Sequence, residues 1–229
     1  MKYFALILLV VLLTSPSLAG ESKEPSDEAA RVADAATVVR EFAGISEGAP
    51  RGLVEKAAAV VVIPGLKKAG FVVGGKHGSG VLSVRDENGN WGAPVFVKIT
   101  GGSIGWQIGV SSTDLVLFFM REKNVGDILD GEFTLGGDAA VAAGPVGRSG
   151  SAGTSADLDA EIYSYSRSRG AFAGISIDGS KLYVDKSANR AFYGEGSDPH
   201  AIIKRKVEPG SSSEALVAAL AAFARSETN

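Results

Sequence analysis

The chain has 229 residues, of which 45 % are hydrophobic and 21 % charged, with a formal net charge of −3 at pH 7 and no cysteine. That composition is globular rather than disordered or fibrous, and the missing cysteine excludes disulfides, thiolate metal sites, cysteine nucleophiles and the acylated residue of a bacterial lipoprotein. The acidic balance argues against nucleic acid as a partner of the whole surface, so any anionic partner has to be met by a local patch.

Residues 1–19 combine Lys2, an apolar run from Phe4 to Leu13, a break at Pro16 and the small-x-small end Ser17-Leu18-Ala19. This predicts a secretory signal peptide cleaved after Ala19, too short to span a membrane, and hence a periplasmic or secreted protein. Residues 20–26 read as a polar linker, and 27–229 as a single domain. Val32, Ala36, Val39 and Ala43 recur at helical spacing, with Ser26 or Asp27 as N-cap and Gly44 as stop, which predicts a helix over 27–43. A second helix is expected from Pro50 through Leu53 to Ala59. The β-branched run Val60 to Ile63 then converts the chain to a strand that Pro64-Gly65 ends.

From there to about residue 193 the texture is β. Asn88-Gly89 marks a hairpin turn, because both central residues of that turn need positive φ. Ile104, Trp106, Ile108 and Val110 alternate with smaller or polar residues, as in a strand with one buried face. Leu115 to Met120 is unbroken apolar sequence, as in a central strand. Tyr163 and Tyr165 alternate with Ser164 and Ser166 in another strand, and Asp178-Gly179 suggests a second hairpin. At a spacing of 100, Gly70, Gly74, Leu82 and Val84 match Gly170, Gly174, Leu182 and Val184, so two related hairpin units and two unrelated ones are both open readings. Ser211 and Glu214 stand at capping-box spacing before a last helix whose Leu216, Leu220 and Phe223 share a face that should pack on the sheet.

Several segments imitate catalytic or metal-binding motifs. Gly101-Gly102-Ser103-Ile104-Gly105 has the spacing of a hydrolase nucleophile elbow, but a strand pattern rather than a helix follows it. Gly70 to His77 lacks the Ser or Thr of a P-loop and carries Phe71, Val72 and Val73 where phosphate would sit. Asp86, Asn88 and Asn90 begin a calcium-loop spacing that Trp91 and Val97 break, leaving a turn. Asp157, Asp159 and Glu161 alternate, and without a nearby histidine they read as a solvated face. The small-residue stretch from Gly136 to Gly147 suits either close backbone packing or the approach of a ligand. No cofactor or metal is expected.

Charge is more informative. Residues 51–85 hold six basic side chains against Glu55 alone, whereas residues 21–47 hold seven acidic against three basic. Lys67-Lys68, beside Phe71, has the composition of a membrane-surface contact, where each basic residue near an anionic bilayer contributes on the order of 1 kcal/mol. An ordinary solvated turn has the same composition.

The run KAGFVVGGKHGSGVLSVRDENGNWGAPVFVKITGGSIGWQIGVSSTDLVLFF, then GGDAAVAAGPVGR, then YSYSRSRGAFAGISIDGSKLYVDKSANRAFYG, resembles the SYLF domain. Tyr163 to Gly174 is the most distinctive element, supported by Trp91, Gly102-Ser103 and Gly109. The resemblance implies a non-enzymatic domain that binds membrane lipid, phosphoinositides in eukaryotic members, with actin bound by some fungal ones. Export argues against actin here and leaves the lipid species open. Lys67, Lys68 and Lys76 fall in the family's lysine-containing first block, and Arg167 and Arg169 match its Ser-Arg-Gly element. The arginines could equally pair with Asp157 or Asp159.

The sequence therefore predicts an α+β fold, with N-terminal helices, a large, mostly antiparallel, glycine-rich sheet shaped as a barrel or sandwich, and a C-terminal helix. Its expected function is peripheral contact with anionic phospholipid through Lys67, Lys68, Lys76, Phe71, Arg167 and Arg169. The alternatives are a structural or protein-binding module of the cell envelope and a carrier holding a lipid within the sheet.

Overall fold

A computed structural model describes residues 26–44, 51–144, 160–168, 171–204 and 211–225. The first helix, α1, spans Asp27–Ala43, and Ser26 Oγ accepts the Ala29 amide at 3.2 Å as its cap. Its apolar side, Val32, Ala35, Ala36, Val38, Val39 and Phe42, is buried. A short helix α2, Arg51–Lys56, leads into strand β1, Ala59–Val84, which pairs antiparallel with β2, Val95–Phe119, along almost its full length. Asp86 holds the intervening turn: its carboxylate accepts the amides of Asn88 and Asn90, and Gly89 takes φ +81°. The turn falls where the Asn88-Gly89 pair predicts one, but the Gly89 amide closes it on Asp86 O at 2.9 Å, so Glu87 and Asn88 are its central residues and Gly89 follows them.

Pro64-Gly65 does not end the strand. The register shifts between Ile63 and Leu66, so the proline falls in a bulge where no ladder donor is needed, and the Gly65 amide donates to Asp114 Oδ1 at 3.0 Å. Beyond β2 come α3, Glu122–Asp130, then β3, Glu132–Thr134; β4, Val141–Ala143; β5, Ile162–Ser168; β6, Ala171–Gly174; and β7, Lys181–Val184. The chain ends in α4, Lys186–Tyr193; α5, Pro199–Ile203; and α6, Ser211–Arg225.

Among the described residues seven strands form one sheet in the order β3-β7-β2-β5-β4, with β1 on β2 and β6 on β5, and only the β4–β5 pairing of these strands is parallel. Two further expectations change here. Asp178-Gly179 is a turn, with Gly179 at φ +71°, but β6 and β7 do not pair; β7 joins β2 and β3. Residues 186–193 are helical rather than β, because the Asp185 side chain caps the Ala188 amide at 3.2 Å and redirects the chain. Phe192 therefore ends a helix, and the two segments 100 residues apart are not equivalent hairpins.

The long β1–β2 hairpin curls until the two ends of β1 meet, where the Arg85 amide donates to Ala58 O at 2.8 Å. The approach depends on glycine at Gly80, where a Cβ would lie 2.8 Å from Ile63 Cα and closer still to Val62 O. Alternation along the strands then feeds two cores. Ala59, Val61, Ile63, Leu66, Leu82, Leu115, Leu117 and Phe119 fill the inside of the curl with Phe133 and Leu182. Val60, Val62, Val116, Phe118 and Tyr165 face the other way, under α1, α2 and α6. There Phe42 packs its ring 5.8 Å from Phe118, 5.2 Å from Tyr165 and 5.5 Å from Phe223. Helix α6 thus packs chiefly on α1, reaching the sheet through Phe223, rather than lying on the sheet directly.

Candidate functional site

Lys67 and Lys68 follow the bulge, opposite Ser112 and Ser111 of β2. Adjacent strand residues point to opposite faces, so this lysine pair is split between two environments. Lys67 is exposed and lines a cleft of about 370 Å³ against α1, together with Asp27, Arg31, Asp34, His77 and Ser79. Lys68 lies on the other face, half-buried, and its charge reaches Lys76.

Lys76 is only 9 % exposed. It pairs with Gly101, and a Cβ built there would fall 2.7 Å from Lys76 Cε and 3.0 Å from Ser180 Oγ, so the absence of a side chain is what lets the lysine lie flat across β2. Burial lowers the ammonium's pKa below its ordinary value, and Lys68 lowers it further, against a smaller opposing pull from Asp178. Neither lysine forms an ion pair with a described residue. The pair sits where the packed interior of the curl ends, beyond Leu66 on one run of β1 and Gly78 on the other.

Phe71 lies along β1 between the two lysines, and Arg169 falls outside the described residues. Arg167 of β5 has two described carboxylates beside it. Its Nε is 3.2 Å from Asp114 Oδ2 and its Nη1 bonds Glu41 of α1, so this charge is matched within the fold by acids of β2 and α1. Asp157 and Asp159, the partners anticipated from the sequence, are outside the described residues, while Glu161 accepts from Asn124 at 2.9 Å and pairs with Arg121 at 3.4 Å. Ser103 lies within β2, not at a strand-to-helix turn. Gly144 presses against the Tyr165 ring, so this part of the small-residue stretch serves close packing.

One polar cluster has no counterpart in the sequence reading. Asp185, 5 % exposed, receives Lys98 at 3.0 Å and Arg31 at 3.7 Å, and its carboxylate also accepts from Ser187 and the Ala188 amide. Burial alone would raise its pKa; the hydrogen bonds and the Lys98 charge outweigh that and hold it below the usual value. Next to it Asn189, fully buried, accepts the Phe96 amide and donates to the Phe96 carbonyl, both at 3.0 Å, in the manner of an added strand residue. The spacing Asp185 to Asn189 is the only local signal, and Arg31, Phe96 and Lys98 come from far along the chain.

Among the described residues no helix is long and apolar enough to cross a membrane, and no group of three or more His, Asp or Glu is placed to hold a metal. A family model described as Ysc84, Las17-binding protein actin regulator, matches residues 100–223. The chain is 33 % identical over 190 residues to LAS seventeen-binding protein 3 of Saccharomyces cerevisiae, covering 82 % of this chain and 41 % of that protein. It is 37 % identical over 174 residues to SH3 domain-containing YSC84-like protein 1 of Xenopus laevis, covering 76 % and 52 %. The rat protein of the same name is 34 % identical over 206 residues, covering 87 % and 60 %. The chain thus spans about half the length of the curated relatives it matches; the yeast relative's name describes binding, and the family's description binding and regulation.

Proposed function

The chain belongs to the Ysc84 (SYLF) family, and from that premise we propose that it is a non-enzymatic module that meets anionic phospholipid at a membrane surface, with Lys68 and Lys76 as the central contacts. The observation that carries this reading is Lys76: a lysine only 9 % exposed, laid across Gly101 with Lys68 on the same face, and with no ion-pair partner among the described residues. Two like charges held together in a partly desolvated site disfavour each other's charged form. A phosphate bound between them removes that repulsion and makes charge-assisted hydrogen bonds to both. Lys67 adds its charge from the opposite face. Phe71, between the lysines in the chain, is the apolar residue offered for insertion, and Arg169 joins on the family resemblance alone. Arg167, matched by Asp114 and Glu41, adds little to the patch.

The interior of the curl is filled by side chains such as Ile63, Leu66, Leu82, Leu115 and Phe133, which supports a surface contact over a lipid carried within the sheet. We place the module outside the cytoplasm because of the leader-like residues 1–19. On that placement the Las17 and actin of the family's description are not its partners, and an envelope protein is the alternative. N-terminal sequencing of the exported form should begin at Gly20.

The test of the lipid reading is vesicle co-sedimentation of two variants. Lys68→Glu and Lys76→Gln should each weaken binding to anionic vesicles about tenfold, equivalent to about 1.4 kcal/mol. Their melting temperatures should stay close to that of the unsubstituted chain. Undiminished binding in both would remove this pair from the site.

A further inference from the structure

The division of Lys67 from Lys68 creates a second polar site with a different charge balance. Asp27, Arg31 and Asp34 are spaced four and three residues apart, so they stack along one face of α1 as negative, positive, negative over about 10 Å of helix. Across the cleft, β1 presents Lys67, His77 and Ser79. Arg31 is already committed: it lies 3.7 Å from Asp185 and its guanidinium carbon is 5.5 Å from the centre of the Phe96 ring. It stands as a fixed positive charge at the back of the cleft. Its buried Nη1 has no hydrogen-bond acceptor among the described residues.

Counted with the Asp185–Lys98 pair that Arg31 joins, the formal charges of Asp27, Asp34 and Asp185 cancel those of Arg31, Lys67 and Lys98. A purely anionic ligand would satisfy the strand wall and leave the two aspartates facing it; a purely cationic one would do the reverse. A ligand carrying both charges satisfies both walls. We infer that this cleft holds a phosphoethanolamine-type zwitterion, its phosphate against Lys67, His77 and Ser79 and its ammonium against Asp27 and Asp34. The choice of phosphate over carboxylate rests on the lipid-binding reading above, with a lipid headgroup and a free phosphoethanolamine ester as the two sources of the same chemistry. Lys68 and Lys76 would then select charge, while the Lys67 cleft selects headgroup.

The experiment uses the whole chain, labelled with nitrogen-15 and titrated separately with glycerophosphoethanolamine, glycerophosphoglycerol and β-alanine. Glycerophosphoethanolamine should shift the amides of Asp34, Lys67, His77 and Ser79 saturably and bind about tenfold more tightly than either of the others, a difference set by satisfying both walls. Asp34→Lys and Lys67→Glu should each abolish the preference. Both positions are exposed, so the folded spectrum should persist, and combining the two substitutions should restore binding with the walls exchanged. Equal binding of β-alanine would overturn the phosphate assignment. No saturable shift with glycerophosphoethanolamine would overturn the site altogether, whatever the vesicle experiments give. The source is decided by vesicles of fixed anionic content in which phosphatidylcholine is replaced by phosphatidylethanolamine. Tighter binding that Lys67→Glu removes identifies the lipid headgroup, and indifference overturns that source in favour of the free ester. Because the ester titration contains no membrane, a failure of anionic vesicle binding and a failure of this cleft are separate results.

Discussion

Replacing Asp185 by asparagine tests how α1 is held to the rest of the fold, and therefore what positions the cleft at Lys67. The carboxylate is 5 % exposed and compensates Lys98 at 3.0 Å and Arg31 at 3.7 Å, the latter on α1. Removing one partner of a fully buried ion pair costs roughly 3–5 kcal/mol. Lys98 and Arg31 keep 31 % and 21 % of their side-chain surface in water, which reduces the expected loss to about 2 kcal/mol. Asparagine caps a helix as well as aspartate does, so Asp185→Asn isolates the ionic part, whereas Asp185→Ala also removes the cap to Ala188 and should cost about 1 kcal/mol more.

The pH dependence gives an independent check. The folded pKa of Asp185 lies below its unfolded value, near 3.8, so its stabilisation is fully present above that value and is lost as the pH falls through the folded one. Denaturant unfolding of both chains at pH 7 and in acid should therefore show a gap that narrows below about pH 4. An asparagine variant as stable as the unsubstituted chain at pH 7, or a gap unchanged in acid, would refute the account.

Two further substitutions test the cores. Phe42→Ala removes a ring, 1 % exposed, that touches the sheet and α6 at once; it should cost about 3–5 kcal/mol in denaturant unfolding and speed amide exchange in both α1 and α6. Exchange raised in α1 alone would contradict the shared packing. Gly80→Ala forces a Cβ against the Val62 carbonyl where β1 meets itself, and should cost about 2–3 kcal/mol, with a neutral effect ruling out so close a crossing.

Local chemistry made some elements legible in the sequence. The Ser26 cap, the helical spacing from Val32 to Ala43 and the Gly44 stop define α1, and the unbroken run from Leu115 onward marks the strand that pairs with β1 and β5. Other features depended on partners remote in the chain. Pro64-Gly65 stays inside β1 because Asp114 supplies an acceptor for the Gly65 amide. The helix after Asp185 is too short for its periodicity to stand out, and the Asn189 clasp on Phe96 that holds it is visible only in three dimensions. Lys67 and Lys68 were legible as a basic pair, but not as residues on opposite faces of β1, of which Lys67 alone lines the cleft against α1. Arg167 was legible as a family residue, and its acids Glu41 and Asp114 were not.

The most direct measurement is co-sedimentation of residues 20–229 with neutral and with anionic vesicles at low and high salt. The account predicts binding to anionic vesicles that weakens as salt screens the lysines, with much less binding to vesicles of phosphatidylcholine alone. Equal binding to both kinds of vesicle at every salt concentration, or binding to neither, would contradict a lipid contact centred on Lys68 and Lys76.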